Sequence, residues 1–382
     1  MRFRSHLANR VITILCILAL LLSFAVVSVG HTKAQGVSYE TTEQGVVVTV
    51  GSIRFTIKPS GGITDLYIGD SIAMNYMGFY PFRTGWSWGA GTWYYGEVVE
   101  SPKVEETPNG IIVRTHSRFP PQTQCYLEFT SVYVIYNTGM IIANLTARAY
   151  ENFKAAWIPI YAGFSTEVFG GSKFYFAYGK SVTEVACPKE YKIYRLSSGS
   201  FSVAYTSTPR GDLVIIALSP PSLSYLFDDD RRWGGTSFAI KCGLTGFEVE
   251  VSKGEEFKAS IMLYPHTKGP EFTKKIVDAF SSLGAAKGLL EALSKTKPRT
   301  PGGAKLLSSC KTEVELAYKA FSQGDIDGTY VHAKNAIKYA EEMKTVERNQ
   351  RILLYIVLPN LIELVIAILV IMRTKPIRRA ST

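Results

Sequence analysis

The chain has 382 residues, of which 46% are hydrophobic, 19% charged and 12% aromatic, a composition that excludes a long disordered acceptor or a low-complexity scaffold. Its formal net charge of +10 does not describe a basic binding face, because residues 1–34 carry +4, 35–269 carry −1, 270–351 carry +4 and 352–382 carry +3. Most of the excess flanks two apolar runs, so the charge reads as membrane topology and no nucleic-acid partner is expected.

Residues 11–30 (VITILCILALLLSFAVVSVG) are uncharged and follow Arg2, Arg4 and Arg10. A basic start, an apolar run and small residues make 1–34 a signal peptide, or an uncleaved signal anchor, since the run is long enough to span a bilayer. Cys16 lies mid-run and reads as apolar filler.

Residues 35–269 read as an extracytoplasmic β domain. The stretches 45–50 (GVVVTV) and 53–58 (IRFTIK) carry β-branched residues and alternation. Residues 126–136 and 140–150 flank Asn137-Thr138-Gly139, the signal for a hairpin with a bulge. Further strands are expected at 212–218, 247–251 and 257–264. Many strands without a helical period predict a mainly β fold, a large antiparallel β-sandwich.

The densest chemical feature is residues 76–95, YMGFYPFRTGWSWGAGTWYY, where nine of twenty side chains are aromatic and glycines interrupt them. Rings at Gly-rich turns remain partly exposed and suit the C–H faces of sugars. Trp86, Trp88, Trp93, Tyr94 and Tyr95 are therefore the expected glycan contacts, with Arg83 and Glu97 bonding hydroxyls. Burial of the same rings in the core is the competing reading. Asp228-Asp229-Asp230-Arg231-Arg232-Trp233, before Gly234-Gly235, reads as a solvated turn. Ca2+ is not expected at Asp228 to Asp230, since EF-hand spacing is missing and two arginines offer neutralisation. No cofactor or metal is predicted, for no CxxC or Cys/His spacing occurs. His116 and His266 read as structural, and no GxSxG, P-loop or HExxH is present.

Two stretches, 52–73 (SIRFTIKPSGGITDLYIGDSIA) and 246–265 (GFEVEVSKGEEFKASIMLYP), resemble the opening and closing hairpins of galactose mutarotase-like supersandwich domains. The resemblance implies a supersandwich of the kind found in epimerases, polysaccharide lyases and accessory domains of glycoside hydrolases. Epimerases of that family use two histidines and a carboxylate; His116 and His266 match no motif of that set.

Cys125, Cys187, Cys242 and Cys310 allow two disulfides in an oxidising compartment, in three connectivities. Asn144-Leu145-Thr146 is a glycosylation sequon within a strand.

After Gly269-Pro270 a helical period begins at Phe272, Ile276, Phe280 and Leu283, and residues 297–303 read as a linker. Helices at 306–323 and 329–349 follow, and residues 317–342 resemble a single tetratricopeptide-like hairpin. Residues 270–351 are thus expected to be a helical stalk. Residues 352–372 (ILLYIVLPNLIELVIAILVIM) give about 31 Å of transmembrane helix. The basic tail 373–382 follows and places the C-terminus in the cytoplasm. Pro359, Asn360 and Glu363 within the span point to contact with another membrane helix, in a homo-oligomer or a partner.

The sequence as a whole points to a membrane-anchored cell-surface protein whose sandwich binds glycan or cell-envelope polysaccharide. The alternatives are a surface carbohydrate-active enzyme, lyase or hydrolase-like, and a structural envelope component or accessory subunit of a membrane complex.

Overall fold

The structure, a computed structural model, describes residues 33–34, 36–295, 298 and 300–374. The expected signal run with Cys16 and the tail beyond 374 lie outside the described residues. The chain folds as two compact units, with the boundary between them after Pro270.

The first unit is mainly β and antiparallel. One sheet of ten strands begins with Lys33–Ala34 and the meander Val37–Thr42, Gly45–Val50, Ile53–Ile57, Ile63–Ile68 and Ser71–Phe79. It continues through Pro159–Ser165, Ser237–Gly243, Leu223–Asp229 and Arg195–Phe201. A sheet of nine strands has Gly211–Ser219, Glu256–His266, Ile141–Ala149 and Leu127–Tyr136 at its centre. A small third sheet joins Val249–Val251, Phe153–Trp157 and Phe82–Arg83.

Period-two alternation explains the sandwich. Val46, Val48 and Val50 are buried while Val47 and Thr49 are half-buried. On the opposite sheet Leu127, Phe129, Ser131, Tyr133 and Ile135 turn inward, alternating with more exposed neighbours. The apolar ones among these inward residues join one cluster with Phe55, Ile63, Leu145 and Ile261. The predicted hairpin forms with Leu127↔Ala149 through Ile135↔Ile141 in register, and Gly139 takes φ 89° in its turn.

The closing stretch departs from expectation. Val249–Val251 pairs with Phe153–Trp157 in the small sheet, whereas Glu256–His266 pairs with Ile141–Ala149 and Gly211–Ser219. The Lys253-Gly254-Glu255 turn therefore carries the chain from one sheet to another and closes no hairpin. The disulfide expectation also gives way: Cys125, Cys187, Cys242 and Cys310 are all free and buried. Each fills an apolar position, the first three in the sandwich core and Cys310 in the helical core. Burial pushes the thiols of Cys125, Cys187 and Cys242 up to about 12. Asn144 is exposed in mid-strand, where its side-chain oxygen accepts from the Ser260 hydroxyl at 2.8 Å.

The second unit contains the helices Pro270–Ser294, Pro301–Ser322 and Ile326–Ile352. Residues 301–303, expected in a linker, are helical because Thr300 caps the Gly303 amide (2.7 Å) and Pro301 takes the first position, where its missing N–H costs nothing. Asp325 caps the next helix through the Gly328 amide at 2.9 Å. Small residues Ala317, Ala333, Ala336 and Ala340 let the helices approach closely, and Leu283, Ala286 and Leu293 of the first helix join the same cluster. The hairpin thus has a third helix packed on it.

From Ile326 to Val370 one rod, interrupted by a π-helical turn at Leu353–Val357, is long and apolar enough to cross a membrane. Pro359 supplies no donor to that turn, and the Asn360 side chain donates to the Ile356 carbonyl at 2.6 Å, so its amide is engaged within its own helix. Glu363 is exposed, with no hydrogen bond or ion pair among the described residues.

Phe129 joins the two large sheets, with its ring 5.3 Å from Phe79 and 4.8 Å from Phe119. Phe129→Ala is expected to destabilise the sandwich by about 3–5 kcal/mol, the usual cost of truncating a buried ring. A denaturation midpoint equal to wild type would remove this contact from the core.

Candidate functional site

The same alternation that fills the core leaves the second face of the ten-stranded sheet free to carry a site. In strand Pro159–Ser165, Ile160, Ala162 and Phe164 join the core and Tyr161 faces away. In Ser237–Gly243, Phe238, Ile240 and Cys242 join the core and Lys241 faces away. Strand pairing puts Gly78, Tyr161, Lys241 and Leu226 in one cross-strand row. Above that row opens a cleft of about 630 Å3.

The aromatic segment forms one wall. Gly78 lacks the Cβ that would meet the Thr92 hydroxyl at 2.4 Å and the Trp93 ring at 3.1 Å. A Cβ on Gly62 would stand 2.5 Å from that of Trp93. The Trp93 indole settles in this seat and stacks on Tyr76, with centroids 4.7 Å apart and planes 7° apart. Of the expected glycan contacts Trp86, Trp93, Tyr94 and Tyr95 line the cleft, with Tyr94 largely exposed and Trp86 and Tyr95 about half exposed.

Three expected residues do not line it. Trp88 turns toward the core and packs edge-on against Phe119 at 6.0 Å. Arg83 is held by the Gln124 side chain. Glu97 lies at the start of an edge strand beside Arg118, 3.6 Å away. Arg83 and Glu97 are engaged by these partners, and Trp88 also stands edge-on to Tyr95 at 5.7 Å, behind the cleft wall.

The acidic triplet corrects the solvated-turn reading, since Asp228, Asp229 and Asp230 are all buried. Asp228 and Asp229 end strand Leu223–Asp229, and Asp230 opens a short 3-10 turn. Alternation sends the first and third carboxylates into the cleft and the second to the other side. Asp229 there receives Arg231 through Nε (2.8 Å) and Nη2 (2.6 Å), a bidentate pair. Lys241 stands where a cation would: its ammonium donates to Asp228 (2.9 Å), Asp230 (3.2 Å) and the Tyr194 hydroxyl (3.0 Å). Arg195 completes Asp228, and the Tyr161 hydroxyl donates to Asp230.

Burial raises the Asp230 carboxyl above its usual range, against the opposing pull of Lys241. Burial lowers Lys241, but the charges of Asp230 and Asp228 outweigh it, so the group ends above its ordinary value and stays an ammonium at neutral pH. Tyr161 and Tyr76 are held far above the phenol range, first by burial and then by the Asp230 charge. The phenols therefore act as donors and never as anions.

The opposite wall is Tyr194 and Trp233, the latter 68% exposed, with Arg232 lying over both rings at 5.3 and 4.9 Å. The sequence reading missed this wall and the floor, although the Asp-x-Asp spacing on a strand end was a usable signal. Neither histidine contributes. His116 lies between Glu100 (3.3 Å) and Glu128, away from the cleft. His266 is buried 3.3 Å from Asp212, and burial brings it down to about 4.

Replacing Lys241 tests the floor directly. Lys241→Met leaves two buried carboxylates without their shared cation and should cost about 3–5 kcal/mol at pH 7, read by chemical denaturation. The deficit should shrink as pH falls through the carboxylate range, because protonation removes the uncompensated charge. A pH-independent deficit would contradict the pairing.

No protein-family model matches the chain, and no curated protein matches it. Solved structures similar to it include galactose 1-epimerase from Lactobacillus acidophilus, at 9% identity and TM-score 0.36, covering 60% of this chain and 98% of that one. Alpha-N-acetylgalactosaminidase from Bifidobacterium bifidum matches at 9% identity and TM-score 0.39, covering 74% and 41%. Heparan sulfate lyase from Pedobacter heparinus matches at 11% identity and TM-score 0.31, covering 62% and 36%. This chain thus spans less than half the length of the last two proteins. The neighbours thus include galactose 1-epimerase and an aldose epimerase homologue, the kind of structure that the sequence resemblance named.

Proposed function

We propose that the β-sandwich binds glycan in the cleft above Tyr161 and Lys241. The observation that carries this reading is the pairing of exposed rings, Trp86, Tyr94, Tyr95 and Trp233, with a polar floor built from Asp228, Asp230, Tyr161 and Lys241. Rings supply flat apolar faces for the C–H faces of sugars, and a few placed polar groups fix orientation. All three protons of the Lys241 ammonium are already engaged. The carboxylates keep spare lone pairs, so the floor offers acceptors to hydroxyl donors. Lys241 and Arg195 balance Asp228 and Asp230 in charge, which suits an uncharged sugar better than a uronate.

Glycan binding should quench tryptophan fluorescence in the full chain held in nanodiscs, and Trp233→Ala should weaken affinity by roughly tenfold, about 1.4 kcal/mol. Silence of the fluorescence toward a broad glycan panel, with no retention on polysaccharide, would falsify the reading. One observation favours a carbohydrate-active enzyme as the second reading: burial raises the carboxyl of Asp230, the direction a general acid needs. Product formation lost in Asp230→Asn, with binding retained, would decide for the enzyme.

The rod ending at Val370 supports the anchoring part of the proposal. In it the sandwich faces outward, the residues after 372 face the cytoplasm, and Glu363 meets a neighbouring membrane helix. Protease added outside intact cells should then remove the sandwich and spare a C-terminal tag. Glu363→Leu should lower the share of chains crosslinked to a membrane partner; an unchanged share would remove that contact.

A further inference from the structure

The cleft's aromatic wall continues past its rim. Phe247, just before strand Val249–Val251, is 59% exposed, and its ring lies 5.9 Å from Trp86 and 5.4 Å from Trp157. Trp86 and Trp157 are themselves 6.3 Å apart, so the three rings close a triangle. Trp157 is its buried corner, seated where a Cβ on Gly243 would stand 2.9 Å from the indole nitrogen. Trp86 and Trp157 line the cleft and Phe247 lies outside it, so the triangle bridges the two. Trp86 (φ 58°) and Glu248 (φ 51°) both hold left-handed backbone, which side-chain-bearing residues disfavour. The sharp local turns leave Trp86 49% exposed beside Phe247, adjacent apolar surface that water penalises.

We propose that Trp86 and Phe247 form a second sugar-stacking platform contiguous with the cleft, so that the ligand is an oligosaccharide chain rather than a single sugar. The proposal rests on the cleft being a sugar site and extends it by one contact. Continuity through Trp157 is what selects a chain as the occupant: a ligand seated over Tyr161 and Lys241 reaches Phe247 by growing along the wall. The exposed side chain of Glu248 beside Phe247 opposes the other occupant such rings suit, an anionic lipid surface, and a cation close by, Lys154, is paired with Glu250 at 2.7 Å.

The test uses the full chain in nanodiscs of neutral lipid, titrated with cello-, malto- and galacto-oligosaccharides of one to six units. In the series that binds, affinity should rise with length. Phe247→Ala should weaken the hexasaccharide by roughly tenfold, about 1.4 kcal/mol, leave the monosaccharide unchanged, and be rescued by Phe247→Tyr. Unchanged thermal melting of the variant separates this loss from misfolding; if Phe247→Ala melts early, Phe247→Leu carries the test. Length-independent affinity, or equal losses at every length, overturns the platform while leaving the cleft as a sugar site. Retention of the wild type on phosphatidylglycerol vesicles, lost in Phe247→Ala, overturns it in favour of a lipid contact. Absence of binding to all three series, on a broad glycan panel as well, sinks the sugar reading of the cleft and the platform with it.

Discussion

The candidate site depends on one withdrawn charge. An ammonium taken out of water must find acceptors for its three protons or lose its charge, and removing it from solvent costs several kcal/mol before any contact is made. Lys241 meets that demand with Asp228, Asp230 and Tyr194. Every other feature of the floor follows. Asp228 needs a second donor and takes Arg195; Asp230 takes the Tyr161 hydroxyl. A buried ion cluster of this kind holds a fold no better than a well-packed apolar filling would. It sits on the outer face of a sheet whose inner face is apolar, where the proposed cleft opens.

That placement also explains what was legible in the sequence. Alternation in residues 45–50 and 126–150, with Asn137-Thr138-Gly139 between strands, is a local signal, and the strands and hairpin formed where it predicted. The aromatic segment was legible for a similar reason: nine rings in twenty residues need no partner elsewhere to be noticed. Yet its inner detail was not. Trp88 and Trp93 carry the same chemistry, and only the glycine seat under Trp93 and the nearness of Phe119 to Trp88 send one to the cleft and the other to the core.

The floor was illegible because it is assembled across strands distant in the chain. Tyr161, Arg195, Asp228 and Lys241 come from four strands brought side by side by pairing, and beyond the Asp-x-Asp spacing of Asp228 and Asp230 no local signal in the sequence links them. The acidic triplet misled for a related reason. Three consecutive carboxylates beside two arginines resemble a solvated turn when read as loop. Placed on a strand end, the same residues split by pleat, Asp229 to Arg231 and its neighbours to Lys241. The cysteines were misread by compartment alone: an even number of thiols suggested bridges, whereas each one fills an apolar position in a core.

The helices of the second unit obey a different constraint. Thr300 and Asp325 satisfy orphan amides at the starts of helices Pro301–Ser322 and Ile326–Ile352, the second of which opens the rod. Within the rod a π-helical turn at Leu353–Val357 precedes Pro359, which has no N–H to donate, and the Asn360 side chain donates to the Ile356 carbonyl. Asn360, grouped with Glu363 by polarity in the sequence, donates from its side chain inside its own helix. Glu363 has no such internal outlet among the described residues. Under the anchoring proposed above, a hydrogen-bond donor for this carboxyl would come from another helix.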